Sequence, residues 1–319
     1  MSTIQNDRER YLWFLYFLVV FLSSSMGDSI ILIASVRYDA MKLNRFIVAV
    51  MQHIAVCDLL RTLGWVLPTL ISLQADRWIL GSPVAYISLF LNLLTFQVSN
   101  ILICVLTSSK FMMLKFPERT RSWMKKGGHV VCVFAWLGSS IFLAVVFHRK
   151  DGHGIYFDQD RYTILFRTSE VYAVLVFKIV TIIIPTFLIV ITTFSTLCYL
   201  MKSREVARTS GGRLRWQGMV TVTTTSLVYC ISIVPYIVAS FTIYRARLER
   251  TANFLTAINI MSNFYIYSLT IPSFRNFISS KVLTFCRLIV LMFGKKLQPA
   301  SSHKGSTTKD EPGSEPNPT

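Results

Sequence analysis

ILICVLTSSKFMMLKFP (Ile101–Pro117) begins as an unbroken apolar run and passes, within two turns, into Ser108, Ser109 and Lys110. Five more basic residues follow by Lys126. A run this apolar does not end on a cation by accident of composition. It reads as a helix leaving hydrocarbon for a positively charged membrane surface, with its cytoplasmic end at Ser-Ser-Lys-Phe.

The rest of the chain agrees. Of 319 residues, 53% are hydrophobic and only 15% charged, and the mean hydropathy is +0.51. A soluble domain has no way to cover that much apolar surface, whereas a bilayer solvates it. The net charge of +17 raises nucleic acid as a partner. The charges lie in short loops between apolar runs rather than along one face, so no nucleic-acid partner is expected.

Seven runs approach the ~20 residues needed to cross about 30 Å of hydrocarbon: 11–36, 46–73, 83–108, 129–148, 171–200, 218–244 and 252–271. They are continuous rather than alternating, which excludes barrel strands. The expectation is an all-α membrane protein, a seven-transmembrane helix bundle with a short interfacial eighth helix. It divides into an extracellular N-terminus (1–10), the bundle (11–272), the interfacial helix (273–293) and a disordered cytoplasmic tail (294–319) rich in Pro, Ser and Gly.

With the N-terminus outside, the three inner loops and the tail hold 21 of the 33 Lys and Arg residues. The outer segments hold ten, offset by eight acidic residues. Positive charge stays inside, so the C-terminus is expected in the cytoplasm and the protein in the plasma membrane. MSTIQNDRERYLW lacks the basic region and cleavage site of a removable signal, so helix 1 should act as its own insertion signal. None of the six cysteines falls in an outer loop, and no extracellular disulfide is expected.

Polar groups at membrane depth are costly, roughly 2.5–3.5 kcal/mol for a central charge. Here they cluster: Asp28 in helix 1, Asp58 and Arg61 in helix 2, Asn92, Gln97, Ser99 and Asn100 in helix 3, Lys178 in helix 5, and Asn253, Asn259 and Asn263 in helix 7. Asn259 and Asn263 share a helix face, and Asp58 and Arg61 can pair along helix 2. One role for such groups is only to tie helices together, at about a kcal/mol each. That accounts for single asparagines better than for two carboxylates and two cations. Pro68, Pro185, Pro235 and Pro272 fall within or at the ends of helices, where they free carbonyls and bend the bundle.

This pattern resembles the rhodopsin-like (class A) G-protein-coupled receptors from helix 1 through residue 275. NFYIYSLTIPSFRNF (263–277) resembles the family's Asn-Pro-x-x-Tyr segment with the short helix that follows. Asn263 and Tyr267 match, and Phe264 replaces the proline. AVCDLL places Asp58 at the family's buried aspartate. Trp78 and Gly81 resemble the first outer loop's Trp-x-x-Gly. Trp136, Pro185 and Pro235 match the family's tryptophan of helix 4 and prolines of helices 5 and 6.

The departures are as informative. Asp28 follows Gly27 where the family has Gly-Asn, and Ala85 replaces the disulfide cysteine of helix 3. Ser232-Ile233-Val234-Pro235 replaces Cys-Trp-x-Pro, and Ser109-Lys110-Phe111 replaces Asp-Arg-Tyr. Ala257 stands where visual pigments carry their retinal-binding lysine, so the protein is not an opsin and needs no cofactor.

The resemblance implies a receptor rather than an enzyme, with an extracellular ligand and a heterotrimeric G protein as partners beside the lipid bilayer. Asn92, Leu93, Phe96, Phe177, Lys178, Tyr236, Ser240 and Asn253 would line the ligand site. Asn92 stands where amine receptors place a carboxylate. Lys178 offers a cation instead, suited to an acidic or polar small molecule or peptide, unless it snorkels outward or pairs with Glu170. Asp58, Ser99, Asn259 and Asn263 match the sodium and water network, joined here by Asp28 and Arg61.

Two close carboxylates resist joint ionisation in low dielectric. One shared proton, a sodium ion at Asp58, or Arg61 as counter-ion would relieve them, and Arg61 is the favoured partner. Ser109, Lys110, Phe111, Arg215 and Tyr267 form the activation switch. Lys110 opposite Arg215 leaves helices 3 and 6 without an ion lock, which implies raised basal activity. Cys286 is a candidate for palmitoylation. A seven-helix binding or trafficking protein that does not couple is the alternative.

Overall fold

The computed structural model describes residues 2–36, 44–75, 77–116, 120, 124, 127–148, 154–158, 163–167, 176, 179–202, 210–241 and 245–281. The chain divides into two units, 1–278 and 279–319. Residues 279–281 are the described part of the second.

Seven long helices follow the seven apolar runs. They are α1 (Ser2–Val36), α2 (Arg45–Ala75), α3 (Gly81–Lys115), α4 (Gly128–His148), α5 (Ile184–Lys202, preceded by a π-helical turn at Ile179–Ile183), α6 (Ser210–Phe241) and α7 (Arg245–Thr270). A further helix, α8 (Pro272–Lys281), leaves the end of α7 at 101°. Among the described residues, five helices are long and apolar enough to cross a membrane, or six if the bent α7–α8 pair is one span; Met219–Pro235 is a shorter apolar helix. The chain is a multi-pass, seven-helix membrane protein.

Several ends differ from the sequence expectation. Helix α1 includes the polar residues that were assigned to an N-terminal segment before it. Helix α3 does not stop at Ser108 but runs to Lys115, closed by the Phe116 N–H donating to the Met112 carbonyl at 2.8 Å. Leu, Met and Lys are strong helix formers, and the chain stops only where Pro117 bars helical backbone at Phe116. The segment between α4 and α5 contains an antiparallel hairpin of β1 (Gly154–Asp158) and β2 (Thr163–Arg167), with Gly154 opposite Arg167. Tyr, Phe, Ile and Leu in GIYFD and TILFR carry the strand preference. The hairpin lies against α3. Residues 282–293 of the expected interfacial helix and the tail lie outside the described residues.

Prolines shape α2 and α5 in the same way. Each is preceded by a widened, π-helical turn, Thr62–Val66 before Pro68 and Ile179–Ile183 before Pro185. Proline has no N–H to donate to the carbonyl four residues back, and its ring crowds that carbonyl. A wider turn relieves the crowding, and the Leu67 N–H accordingly reaches back five residues to Thr62 O. Asn44 caps α2 through Oδ1, which accepts from the Phe46 N–H at 2.9 Å.

Packing is inside out relative to a soluble domain. Leu15, Val19, Leu22 and Met26 of α1 and Phe134, Leu137, Ile141 and Val145 of α4 are exposed at helical spacing, as lipid-facing side chains must be. Buried polar groups line the interior. Helix α3 contacts α2, α4, α5 and α6, while α1 packs on α2 and α7. Gly27 brings α1 close to α7: a Cβ there would sit 2.7 Å from Phe264 Cβ. At the outer end Phe17 meets Trp65 edge-on, and Tyr16 donates its hydroxyl to Phe254 O.

Candidate functional site in the polar core

Three helices bring one buried polar group together. Asp28 of α1, Asp58 of α2 and Asn263 of α7 are 1%, 3% and 3% exposed. Asn263 donates from Nδ2 to Asp58 Oδ2 at 2.7 Å. On the other side two hydroxyls join the carboxylates' helices. Ser24 Oγ lies 2.6 Å from Asp28 Oδ2 and 2.8 Å from Thr62 Oγ1. Thr62 Oγ1 donates to the Asp58 carbonyl at 2.7 Å. Ser24 precedes Asp28 by four residues and Thr62 follows Asp58 by four, so each hydroxyl sits one turn from its carboxylate on the same face. Asp28 Oδ1, Asn263 Oδ1 and the Tyr267 hydroxyl are buried with no hydrogen-bond partner among the described residues.

Arg61 also reaches across to α3. Its Nε donates to Asn92 Oδ1 at 2.9 Å, and its guanidinium lies 5.3 Å from the Trp65 ring centre and 5.0 Å from that of Phe96. Two aromatic faces and an amide oxygen suit a planar, weakly hydrated cation. The hydrogen bond seen from Nε therefore goes to the expected ligand-site residue Asn92 rather than to a carboxylate. Arg61 stands at the junction of the two residue sets that the sequence kept apart.

Of the other ligand-site residues, Leu93 is half-buried on α3 beside this group. Phe177 and Lys178 lie outside the described residues. Tyr236, Ser240 and Asn253 fall on the described backbone of α6 and α7, but their side chains lie outside the description, as does that of Arg215. Ser99 is buried and Asn259 half-buried, and neither hydrogen-bonds Asp58. Cys286 lies outside the described residues. Among the described residues, no three His, Cys, Asp or Glu side chains are grouped to hold a metal ion.

Toward the C-terminal end of α3, Ser109 donates its hydroxyl to its own helix, at Leu106 O, 2.8 Å away. Lys110 is 6% exposed and makes no hydrogen bond or ion pair among the described residues. Phe111 is half-buried. Tyr267 is buried at 1% exposure on the inner part of α7.

Sequence reasoning missed three connections. Ser24 and Thr62 carried a signal, since a hydroxyl one turn from a buried carboxylate on the same face can bond it. Asn100 was noted only as polar; it donates to the Thr181 carbonyl of α5 at 3.0 Å. His53 accepts from Trp136 Nε1 at 3.3 Å, and its Nε2 lies 3.4 Å from His129 Nδ1. That pairing across α2 and α4 has no spacing signature in one dimension.

A family model described as 7 transmembrane receptor (rhodopsin family) matches residues 27–271, from the Gly27-Asp28 pair to the last residue before Pro272. No curated protein matches the chain.

Proposed function

From a chain that belongs to the rhodopsin family of seven-transmembrane receptors, we propose a ligand-activated plasma-membrane receptor that signals to a heterotrimeric G protein. Its N-terminus faces outward and its C-terminus inward, as the basic inner loops require. The ligand enters between the helices from the outer side. An acidic or strongly polar ligand suits this chain, because Asn92 replaces an amine-binding carboxylate and Lys178 supplies a cation.

The observation that carries the reading is the α2–α7 junction. Asp58 and Asn263 are 205 residues apart and joined by a single buried hydrogen bond, one turn above the buried Tyr267. Arg61, three residues along α2 from Asp58, meets the expected ligand-site residues Asn92 and Phe96. A ligand that moves Asn92 therefore displaces a side chain on the helix that holds the junction. Coupling between sites needs such a contiguous element that both can bias.

A second reading, binding or trafficking without coupling, is favoured by one observation. Ser109 and Lys110 stand where the family keeps an acidic–basic pair, and Ser109 spends its hydroxyl on Leu106 O. The test is nucleotide exchange on several purified G proteins by the receptor in reconstituted membranes, screened against a panel of carboxylates, phosphates and peptides. Agonist-dependent exchange supports coupling. Binding without exchange on any G protein overturns it in favour of the second reading. A Lys178→Ala receptor that responds normally removes that lysine as the anchor.

A further inference from the structure

The chain of oxygens between α1 and α2 contains one hydrogen fewer than its geometry needs. Three contacts run in series: Asp28 Oδ2 to Ser24 Oγ at 2.6 Å, Ser24 Oγ to Thr62 Oγ1 at 2.8 Å, and Thr62 Oγ1 to the Asp58 carbonyl at 2.7 Å. At these separations two oxygens attract only with a hydrogen between them. The hydroxyls of Ser24 and Thr62 supply two hydrogens. The carbonyl is an acceptor only, and an ionised carboxylate is too. If Ser24 donates to Asp28 and Thr62 donates to Asp58 O, two bare oxygen lone pairs face each other at 2.8 Å. Turning either hydroxyl toward the other only moves the missing hydrogen to an end of the chain.

We infer that Asp28 is a proton-binding site, present as the carboxylic acid, whose hydrogen completes an ordered relay from Asp28 through Ser24 and Thr62 to the backbone of α2. The Asp28 O–H donates to Ser24 Oγ, the Ser24 O–H to Thr62 Oγ1, and the Thr62 O–H to Asp58 O. All three contacts are then satisfied and all point the same way, which strengthens each bond in the series.

An independent observation agrees. Asp28 Oδ1 is buried with no hydrogen-bond partner among the described residues. A carboxylate would leave charge density bare on that oxygen, whereas the acid leaves a neutral carbonyl, for which the cost is much smaller. The titratable groups facing Asp28 among the described residues are Asp58 on α2 and Tyr267 on α7, with Arg61 facing Asp58. Asp58 differs, because it enters the chain only through its backbone carbonyl and its Oδ2 already has a donor in the Asn263 amide, so no contact of its carboxyl lacks a hydrogen. The proton therefore belongs to the α1 carboxyl rather than to the α2 one. The acid also has the shape of an asparagine that donates once, which is how a carboxyl can stand at this helix position.

The test is infrared difference spectroscopy of the full-length receptor in lipid nanodiscs at neutral pH, with deuterium exchange to mark carboxylic acids. A protonated-carboxyl C=O band is expected in the wild type. It should be lost in Asp28→Asn, kept in Asp58→Asn, and shifted to higher frequency in Ser24→Ala, where the acid loses its acceptor. Should Asp28→Asn fail to fold, the Ser24→Ala shift decides alone. Absence of the band in the wild type, or its loss only in Asp58→Asn, overturns the assignment. A band in potassium buffer that disappears on adding sodium chloride, with carboxylate bands in its place, also overturns it: the site then holds a metal cation rather than a proton.

Discussion

Asn100 of α3 donates its side-chain amide to the carbonyl of Thr181 on α5, 3.0 Å away. Thr181 is four residues before Pro185, so this is the carbonyl that the proline ring deprives of its α-helical donor. One helix thus supplies in trans what the next lacks in its own backbone, which is how broken helices are tolerated in lipid. Replacing Asn100 by Leu should keep the volume and remove this bond between α3 and α5. The expected loss is about 1 kcal/mol, read as a lower apparent melting temperature in detergent. Combining it with Pro185→Ala, which restores an N–H, should recover most of that loss.

Gly27 and Phe264 fix the separation of α1 and α7. A methyl added at Gly27 would meet Phe264 Cβ at 2.7 Å and Cγ at 2.8 Å, at the root of the side chain, which cannot swing away. Gly27→Ala should therefore destabilise by about 1–3 kcal/mol, seen as a fall in the fraction of receptor surviving a heat challenge. Gly27→Ala with Phe264→Ala should lose less than the two single variants together, because the second truncation removes the clash.

The Asp58–Asn263 bond lends itself to a double-mutant cycle. Asn263→Ala removes a donor from a buried carboxylate and should cost about 2 kcal/mol. Asp58→Asn lacks the charge that makes the bond strong. If the two residues act through one bond, the double variant should be little worse than Asn263→Ala. Urea or thermal denaturation of the four proteins measures the coupling, and strict additivity would show the 2.7 Å contact to be energetically idle.

Lys110 is buried at the inner end of α3 with no hydrogen-bond or ion-pair partner among the described residues. A cation there, with Arg215 as its counterpart on α6, offers no attraction to hold the two helix ends together. Basal nucleotide exchange without ligand should exceed that of membranes lacking the receptor. Arg215→Glu, which creates an opposite charge for Lys110, should lower it several-fold. Basal exchange at background in the wild type, rising after Lys110→Arg, would refute the repulsion.

How much of this was legible beforehand follows from what kind of property each feature is. Being apolar enough for lipid belongs to a stretch of chain taken alone. The seven helices, the basic inner loops and the family likeness could therefore be seen in one dimension. Helix ends were less legible, as α3 shows: the polarity of Ser108–Lys110 marked a membrane boundary, but the helix persisted to the proline that stops it.

The polar core divides the same way. Sequence determined that Asp28, Asp58, Arg61, Asn92 and Asn263 must find company inside the bundle, because hydrocarbon makes their solitude costly. Which company they find was decided only by the tertiary structure, since partners 31 and 205 residues apart are chosen by how helices rotate and approach. Arg61 was expected beside a carboxylate three residues away; the packing of α2 on α3 gives it Asn92 and two aromatic rings as well. The packing of α1 on α2 put Ser24 within reach of Thr62 and made two separate carboxylates into one connected site.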